Sequence, residues 1–108
     1  MTDWIDIAAF SDIPLRGSRT LDWGGTPVAI FRTHDDEVFA LVDRCPHKGG
    51  PLSQGIVHGH AVACPLHNVR IALATGAAIG DDSGCTPTVP VRRDGDRVLI
   101  AMPVRAAA

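Results

Sequence analysis

Residues 45–67 read CPHKGGPLSQGIVHGHAVACPLH. The stretch opens with Cys45 and His47 and closes with Cys64 and His67, so each end offers one thiol and one imidazole. Pro46 and Pro65 follow the two cysteines directly. Each fixes φ and removes an amide donor, which stiffens the chain beside a would-be ligand. Gly49, Gly50 and Gly55 admit two readings: ordinary turn chemistry, or close backbone approach to a bound anion whose charge is met by N–H donors. Two soft sulfur donors and two imidazoles on two stiff loops form a candidate metal site.

Outward from this stretch, apolar residues come in short runs broken by turn signals, a strand-rich pattern. WIDIAAF (4–10) reads as a first strand, ended by SDIP. TPVAIFR (26–32) and EVFALV (37–42) flank the turn THDD and are expected to pair as a hairpin. GIVHGHAVAC reads as a second hairpin turning at His58-Gly59-His60, where glycine supplies positive φ. VRIALATG gives a further strand stopped by Thr75-Gly76. TVPVRRDGDRVLIAM closes the chain as one hairpin about Asp94-Gly95. No segment sustains helical periodicity. The expected fold class is all-β: a single domain spanning 1–108, with antiparallel strands carrying two polar, glycine- and proline-rich loops, 43–55 and 64–70, side by side.

At 108 residues the chain is long enough for one modest core. Its 45% hydrophobic and 20% charged content is that of a globular protein. A net charge of −2 provides no basic field for nucleic acid or an anionic membrane. The start, MTDWIDIAAF, has no basic residue ahead of its short apolar stretch, which is wrong for a secretory signal, and no run reaches membrane-spanning length. A cytoplasmic address is expected. There, an odd count of three cysteines (Cys45, Cys64 and Cys85) argues for metal ligation or catalysis rather than a disulfide framework.

Zinc is the first competitor for Cys45, His47, Cys64 and His67. Zinc sites usually pair cysteine with cysteine and histidine with histidine in each short spacing, however. The mixed pairing here suits a binuclear centre, in which both cysteines reach one iron and both histidines the other of a 2Fe-2S cluster. Two imidazoles in place of two thiolates leave the oxidised site formally neutral. An electron is then added more easily than to a doubly negative all-cysteine cluster, and the potential rises into a range of about −150 to +300 mV. Such a site relays electrons.

At these residues the chain resembles the Rieske family: C-P-H, sixteen residues, then C-P-L-H fits C-x-H…C-x-x-H, and Thr75-Gly76 falls where Rieske domains commonly carry T-G. More narrowly, RCPHKGGPLSQGIVHGHAVACPLHN with TGAAIGDDSGCTPTVPV is similar to the small subunit of bacterial assimilatory NAD(P)H-dependent nitrite reductases. His67-Asn68 and the G-C-T around Cys85 are the most telling parts. The chain departs from that pattern at Val69, where an aromatic residue is usual, and at Ala72, commonly acidic; neither is a ligand. The resemblance implies a Rieske-type antiparallel β-sandwich or barrel with a two-loop cluster-binding subdomain. It also implies a large catalytic partner with FAD, a 4Fe-4S cluster and sirohaem, reducing nitrite to ammonium. High-potential relatives carry an extra cysteine in each loop; those places hold Gly50 and Leu66 here, and the chain has no tyrosine, which implies a potential near the low end of the Rieske range.

A freestanding Rieske ferredoxin feeding a ring-hydroxylating dioxygenase is the second reading. The third is a non-redox assembly module in which a cluster or zinc is only a staple. This chain has no nucleotide loop, activated nucleophile or open-site metal triad of its own. Cys85, eighteen residues past His67, is expected not to ligate. His34, His58 and His60 belong to turns and are expected at the surface. Arg44 and Lys48 either dock a partner or solvate the loop rim. The electron-exchange surface is expected around His47 and His67, with Lys48, Pro51, Leu52 and Leu66.

Overall fold

A computed structural model of the chain describes residues 4–23, 25–44, 51–64, 70–79 and 86–101. Among these, ten strands run β1 (Ile5–Ala9), β2 (Ser18–Trp23), β3 (Thr26–Arg32), β4 (Val38–Val42), β5 (Ile56–His58), β6 (Ala61–Ala63), β7 (Arg70–Ala72), β8 (Thr88–Val89), β9 (Val91–Asp94) and β10 (Arg97–Ile100). They form three sheets, ordered β1-β10-β9, β2-β3-β4-β8 and β5-β6-β7, and every strand pairing is antiparallel. The all-β expectation holds.

The four-stranded sheet sits at the centre because β3 buries four successive residues, Val28, Ala29, Ile30 and Phe31. Side chains alternate across a strand, so a run buried at every position needs cover on both faces. Ala29 and Phe31, with Leu41 of β4, pack against Leu52, Val57, Val62, Cys64, Ile71 and Leu73. Val28 and Ile30, with Ala40 and Val89, pack against Phe10, Ile13, Val98 and Ile100. The first cluster ties the β5-β6-β7 sheet to the centre and the second ties in β1-β10-β9. Each fully buried Ile, Leu or Phe contributes roughly 1.5–3 kcal/mol relative to exposure.

The structure differs from the sequence reading in several places. The first strand ends at Ala9 rather than residue 10. Phe10 opens a 3-10 turn, Phe10–Asp12, and the guanidinium groups of Arg93 and Arg32 lie over its ring, 3.6 and 4.3 Å from the centroid. A register slip between Asp6 and Ala8 also breaks the simple alternation expected there. β2 escaped the sequence reading altogether. It is the edge strand beside β3, its residues are exposed or half-buried, and SRTLDW therefore lacks an apolar rhythm. Of the expected strand in VRIALATG, the described residues keep Arg70–Ala72 in β7, and Val69 lies outside them. Beyond it Leu73 to Thr75 turn, and Gly76 takes φ +75°. The expected C-terminal hairpin spans two sheets: β8 pairs with β4, whereas β9 pairs with β10. Pro90, between them, has no N–H for a ladder and marks the change of sheet.

Candidate metal centre

Cys64 is the one expected ligand within the described residues; Cys45, His47 and His67 lie outside them. Cys64 follows β6 directly and is fully buried, in the cluster that holds Leu52, Val62 and Ile71. β6 is the middle strand of its sheet, paired on both sides, so the sulfur leaves a backbone fixed by two ladders. A soft donor held rigidly in an apolar, water-excluded setting suits an iron–sulfur group. Together with the thiol and two imidazoles that the sequence supplies, this donor set fits a 2Fe-2S cluster.

The frame of the first loop is visible at both ends. β4 stops at Val42, and Asp43, 8% exposed, turns its carboxylate toward Ser53. The Ser53 backbone N–H and hydroxyl each donate to it at 2.7 Å, one to each oxygen. The Ser18 hydroxyl donates to the Ser53 carbonyl at 3.0 Å, and the Asp43 N–H donates to the Pro27 carbonyl at 2.8 Å. Residues 44–52 thus leave and rejoin the scaffold at a pinned base anchored to β2 and β3. Leu52 begins a 3-10 turn, Leu52–Gln54, and is fully buried. It is therefore a core residue, which corrects its expected place on the exchange surface; Pro51 beside it is exposed.

Gly55 is explained by packing against protein. A Cβ there would come within 2.1 Å of the Ala63 carbonyl oxygen, so the chain leaving the first loop lies against the backbone one residue before Cys64. Gly76 meets Thr86 in the same way: a Cβ would lie 2.1 Å from the Thr86 carbonyl oxygen, and the Thr86 N–H donates to the Gly76 carbonyl at 2.8 Å. The buried Thr86 hydroxyl then donates to the Val42 carbonyl at 3.1 Å. Gly76 of the T-G step and the threonine of G-C-T, singled out separately in the sequence, thus meet, and Thr86 ties them to Val42 at the end of β4. Cys85 lies outside the described residues.

Sequence reasoning missed Asp43, Ser53 and the contact role of Thr86. The available signal was small polar residues immediately after an apolar run and just ahead of Gly55. The turn histidines are exposed as expected, but His60 has a partner. Its Nε2 lies 3.0 and 3.1 Å from the two carboxylate oxygens of Asp35, across from the β3–β4 turn, and its ring packs on Phe39. Hydrogen bonds from the Thr33 hydroxyl and then from His60 hold the Asp35 carboxyl down at about 2. No described helix is long and apolar enough to cross a membrane.

Residues 3–90 match the Rieske 2Fe-2S domain family. The ferredoxin component of the naphthalene 1,2-dioxygenase/salicylate 5-hydroxylase systems of a Ralstonia species is 31% identical over 106 residues, covering 93% of this chain and 96% of that protein. Among solved structures, a protein described as the NADH-dependent nitrite reductase small subunit of Mycobacterium tuberculosis superposes with a TM-score of 0.86 at 25% identity, over 95% of this chain and 97% of its own. The ferredoxin of carbazole 1,9a-dioxygenase from Nocardioides aromaticivorans superposes with a TM-score of 0.82 at 25% identity, over 93% and 98%.

Proposed function

The chain belongs to the Rieske 2Fe-2S family and is an electron-transfer component that works with a partner protein; from that premise we propose that it is the small subunit of an NAD(P)H-dependent nitrite reductase. In this reading residues 1–108 act as one cluster-binding domain, and Cys45, His47, Cys64 and His67 hold the cluster. When bound, the cluster supplies a reversible one-electron centre. The chain's own residues do the rest. Cys64 is fixed by the β6 ladders, the Asp43–Ser53 base holds the first loop, and Leu52, Val62 and Ile71 exclude water from the sulfur side. A single one-electron centre can neither collect both electrons of a hydride nor carry out the six-electron reduction of nitrite to ammonium. A large partner must do both.

The observation that carries this reading is the superposition on the Mycobacterium tuberculosis subunit, with a TM-score of 0.86 over nearly all of both chains. The Gly76–Thr86 contact adds support, because both residues belong to the stretch of sequence that resembles such subunits. A second reading, the ferredoxin of a ring-hydroxylating dioxygenase, is favoured by the 31% identity to the Ralstonia component. Reconstitution separates them. Added to a nitrite reductase large subunit lacking its small one, this chain should restore NAD(P)H-dependent nitrite reduction. Absence of binding there, with efficient electron delivery to a ring-hydroxylating oxygenase, would move the assignment to the ferredoxin. Full rescue by a variant without its cluster would move it to an assembly module.

A further inference from the structure

The outer face of the β5-β6-β7 sheet does not look like a solvent face. Register sets its residues in rows across the three strands. Val57, Val62 and Ile71 form the inward row, all buried in the core. The outward rows are Ile56–Ala63–Arg70 and His58–Ala61–Ala72. An antiparallel sheet with one wet face should put polar residues there. Here the middle strand offers only alanines, flanked by the taller Ile56 and His58 on one side and Arg70 on the other. Small residues between large ones make a depression. It is open, about 330 Å³ in volume, and lined by Ile56, His58, Ala61, Ala63 and Arg70. Ile56 at its edge is 72% exposed, the most exposed of the large hydrophobic side chains among the described residues.

Charge defines the occupant further. On a chain of net charge −2, no acidic residue among the described residues lines this depression. Arg70 and His58 stand at its rim, and among the described residues neither makes an ion pair or side-chain hydrogen bond. An apolar floor beside an unmatched guanidinium accepts an apolar side chain flanked by a carboxylate, and Arg is a preferred anchor at protein interfaces. Ala61 and Ala63, which floor the depression, lie on the strand that runs directly into Cys64, so a protein seated there touches the residue next in sequence to an expected ligand.

We infer that this face is a docking surface for the electron-exchange partner, which inserts an apolar side chain over Ala61 and Ala63 and presents a carboxylate to Arg70. Naming that partner as the nitrite reductase large subunit rests on the function proposed above; the surface itself does not. Its lining residues are other than those of the rim expected from sequence around His47 and His67.

The test uses the full, cluster-loaded chain and titrates it into the large subunit while following nitrite reduction. Ile56→Glu and Arg70→Glu should each raise the half-saturating concentration about tenfold or more, with Arg70→Lys closer to the unsubstituted chain. Iron content and visible spectrum should stay unchanged. If Ile56→Glu loses iron, the two Arg70 variants decide alone. Saturation of all variants at the unsubstituted concentration would overturn the inference. Should the chain reduce a ring-hydroxylating oxygenase and not the nitrite reductase subunit, the proposed function falls. The same variants titrated against that oxygenase then judge the surface: weakening keeps it and indifference overturns it. Self-association of the chain that Ile56→Glu abolishes would assign the face to a second copy and overturn the partner.

Discussion

Asp43 receives both the backbone N–H and the hydroxyl of Ser53, each at 2.7 Å, and so closes the chain across residues 44–52, the segment that carries Cys45 and His47. A buried carboxylate with two short donors is an expensive group to leave unmatched. Hydrogen bonds to charged groups contribute about 1.5–3 kcal/mol, and an abandoned buried partner adds to the loss. Ser53→Ala should therefore destabilise by roughly 1–3 kcal/mol, because Asp43 stays behind with one bond removed. Asp43→Ala should release the loop base as well, and iron should leave faster when a chelator is added. Thermal melts and iron release followed by absorbance check both. Asp43→Ala with an unchanged melt and unchanged iron retention would show that the clasp holds nothing.

Two glycines are fixed by what stands opposite them, and a third is not. Gly55→Ala and Gly76→Ala would each drive a Cβ to within 2.1 Å of a carbonyl oxygen, of Ala63 and Thr86 respectively, and Gly76 also sits at φ +75°. Overpacking typically costs about 1–3 kcal/mol, with more where backbone must move. Gly59, at φ +61° in the β5–β6 turn, faces open space, so Gly59→Ala carries only the left-handed penalty of about 1–2 kcal/mol. The expected order in denaturant midpoints is Gly76→Ala lowest, then Gly55→Ala, then Gly59→Ala. Equal midpoints would refute the packing account.

The turns at Gly59 and Gly95 and the paired runs around 26–42 were legible because apolar alternation and turn residues act locally. β2 was not, since an edge strand with one half-wet face needs little apolar rhythm. Leu52 was misplaced for a related reason. Nothing local distinguishes an apolar loop residue that faces a partner from one that plugs the core, and only the fold brings it into the cluster that holds Phe31 and Cys64. The Asp43–Ser53 and Gly76–Thr86 contacts close over ten residues each and have no periodicity to announce them. The ligand pattern was readable from spacing because metal geometry, unlike packing, constrains a few residues tightly.

Leu52 and Ile56 stand close in sequence and do opposite things. Leu52→Ala empties a fully buried site and should cost about 2–5 kcal/mol. Ile56→Ala, at a position 72% exposed, should change stability by about 0.5 kcal/mol or less. Chemical denaturation distinguishes them, and a Leu52→Ala protein as stable as the unsubstituted chain would contradict its place in the core.

The Asp35 carboxyl is held at about 2 by the Thr33 hydroxyl and by His60, against an ordinary value of 3.8. A depressed carboxylate stabilises the fold when ionised, so its contribution is complete above about pH 4 and lost as pH falls toward 2. It links the β3–β4 turn to the β5–β6 turn through exposed groups, so added salt should weaken it. Carboxyl-carbon NMR of the labelled protein should show Asp35 titrating below the other aspartates, and His60→Ala should move it back up. Titration of Asp35 at the ordinary value would remove the link.

Cysteines 64 and 85 give the sharpest contrast for the cluster. Cys64 leaves a doubly paired strand in a dry environment, whereas Cys85 stands just ahead of Thr86, whose own bonds run to Gly76 and Val42 and serve the scaffold. If Cys45, His47, Cys64 and His67 fill the ligand places, protein purified without air should contain two irons and two labile sulfides per chain, about the full complement of a 2Fe-2S group. Cys45→Ser, Cys64→Ser, His47→Ala and His67→Ala should each abolish that content. Cys85→Ser should leave it intact, with at most a small loss of stability. Iron that survives Cys64→Ser but disappears in Cys85→Ser would exchange their roles. Stoichiometric zinc without iron, from cells grown with ample iron, would remove the cluster assignment to these four residues.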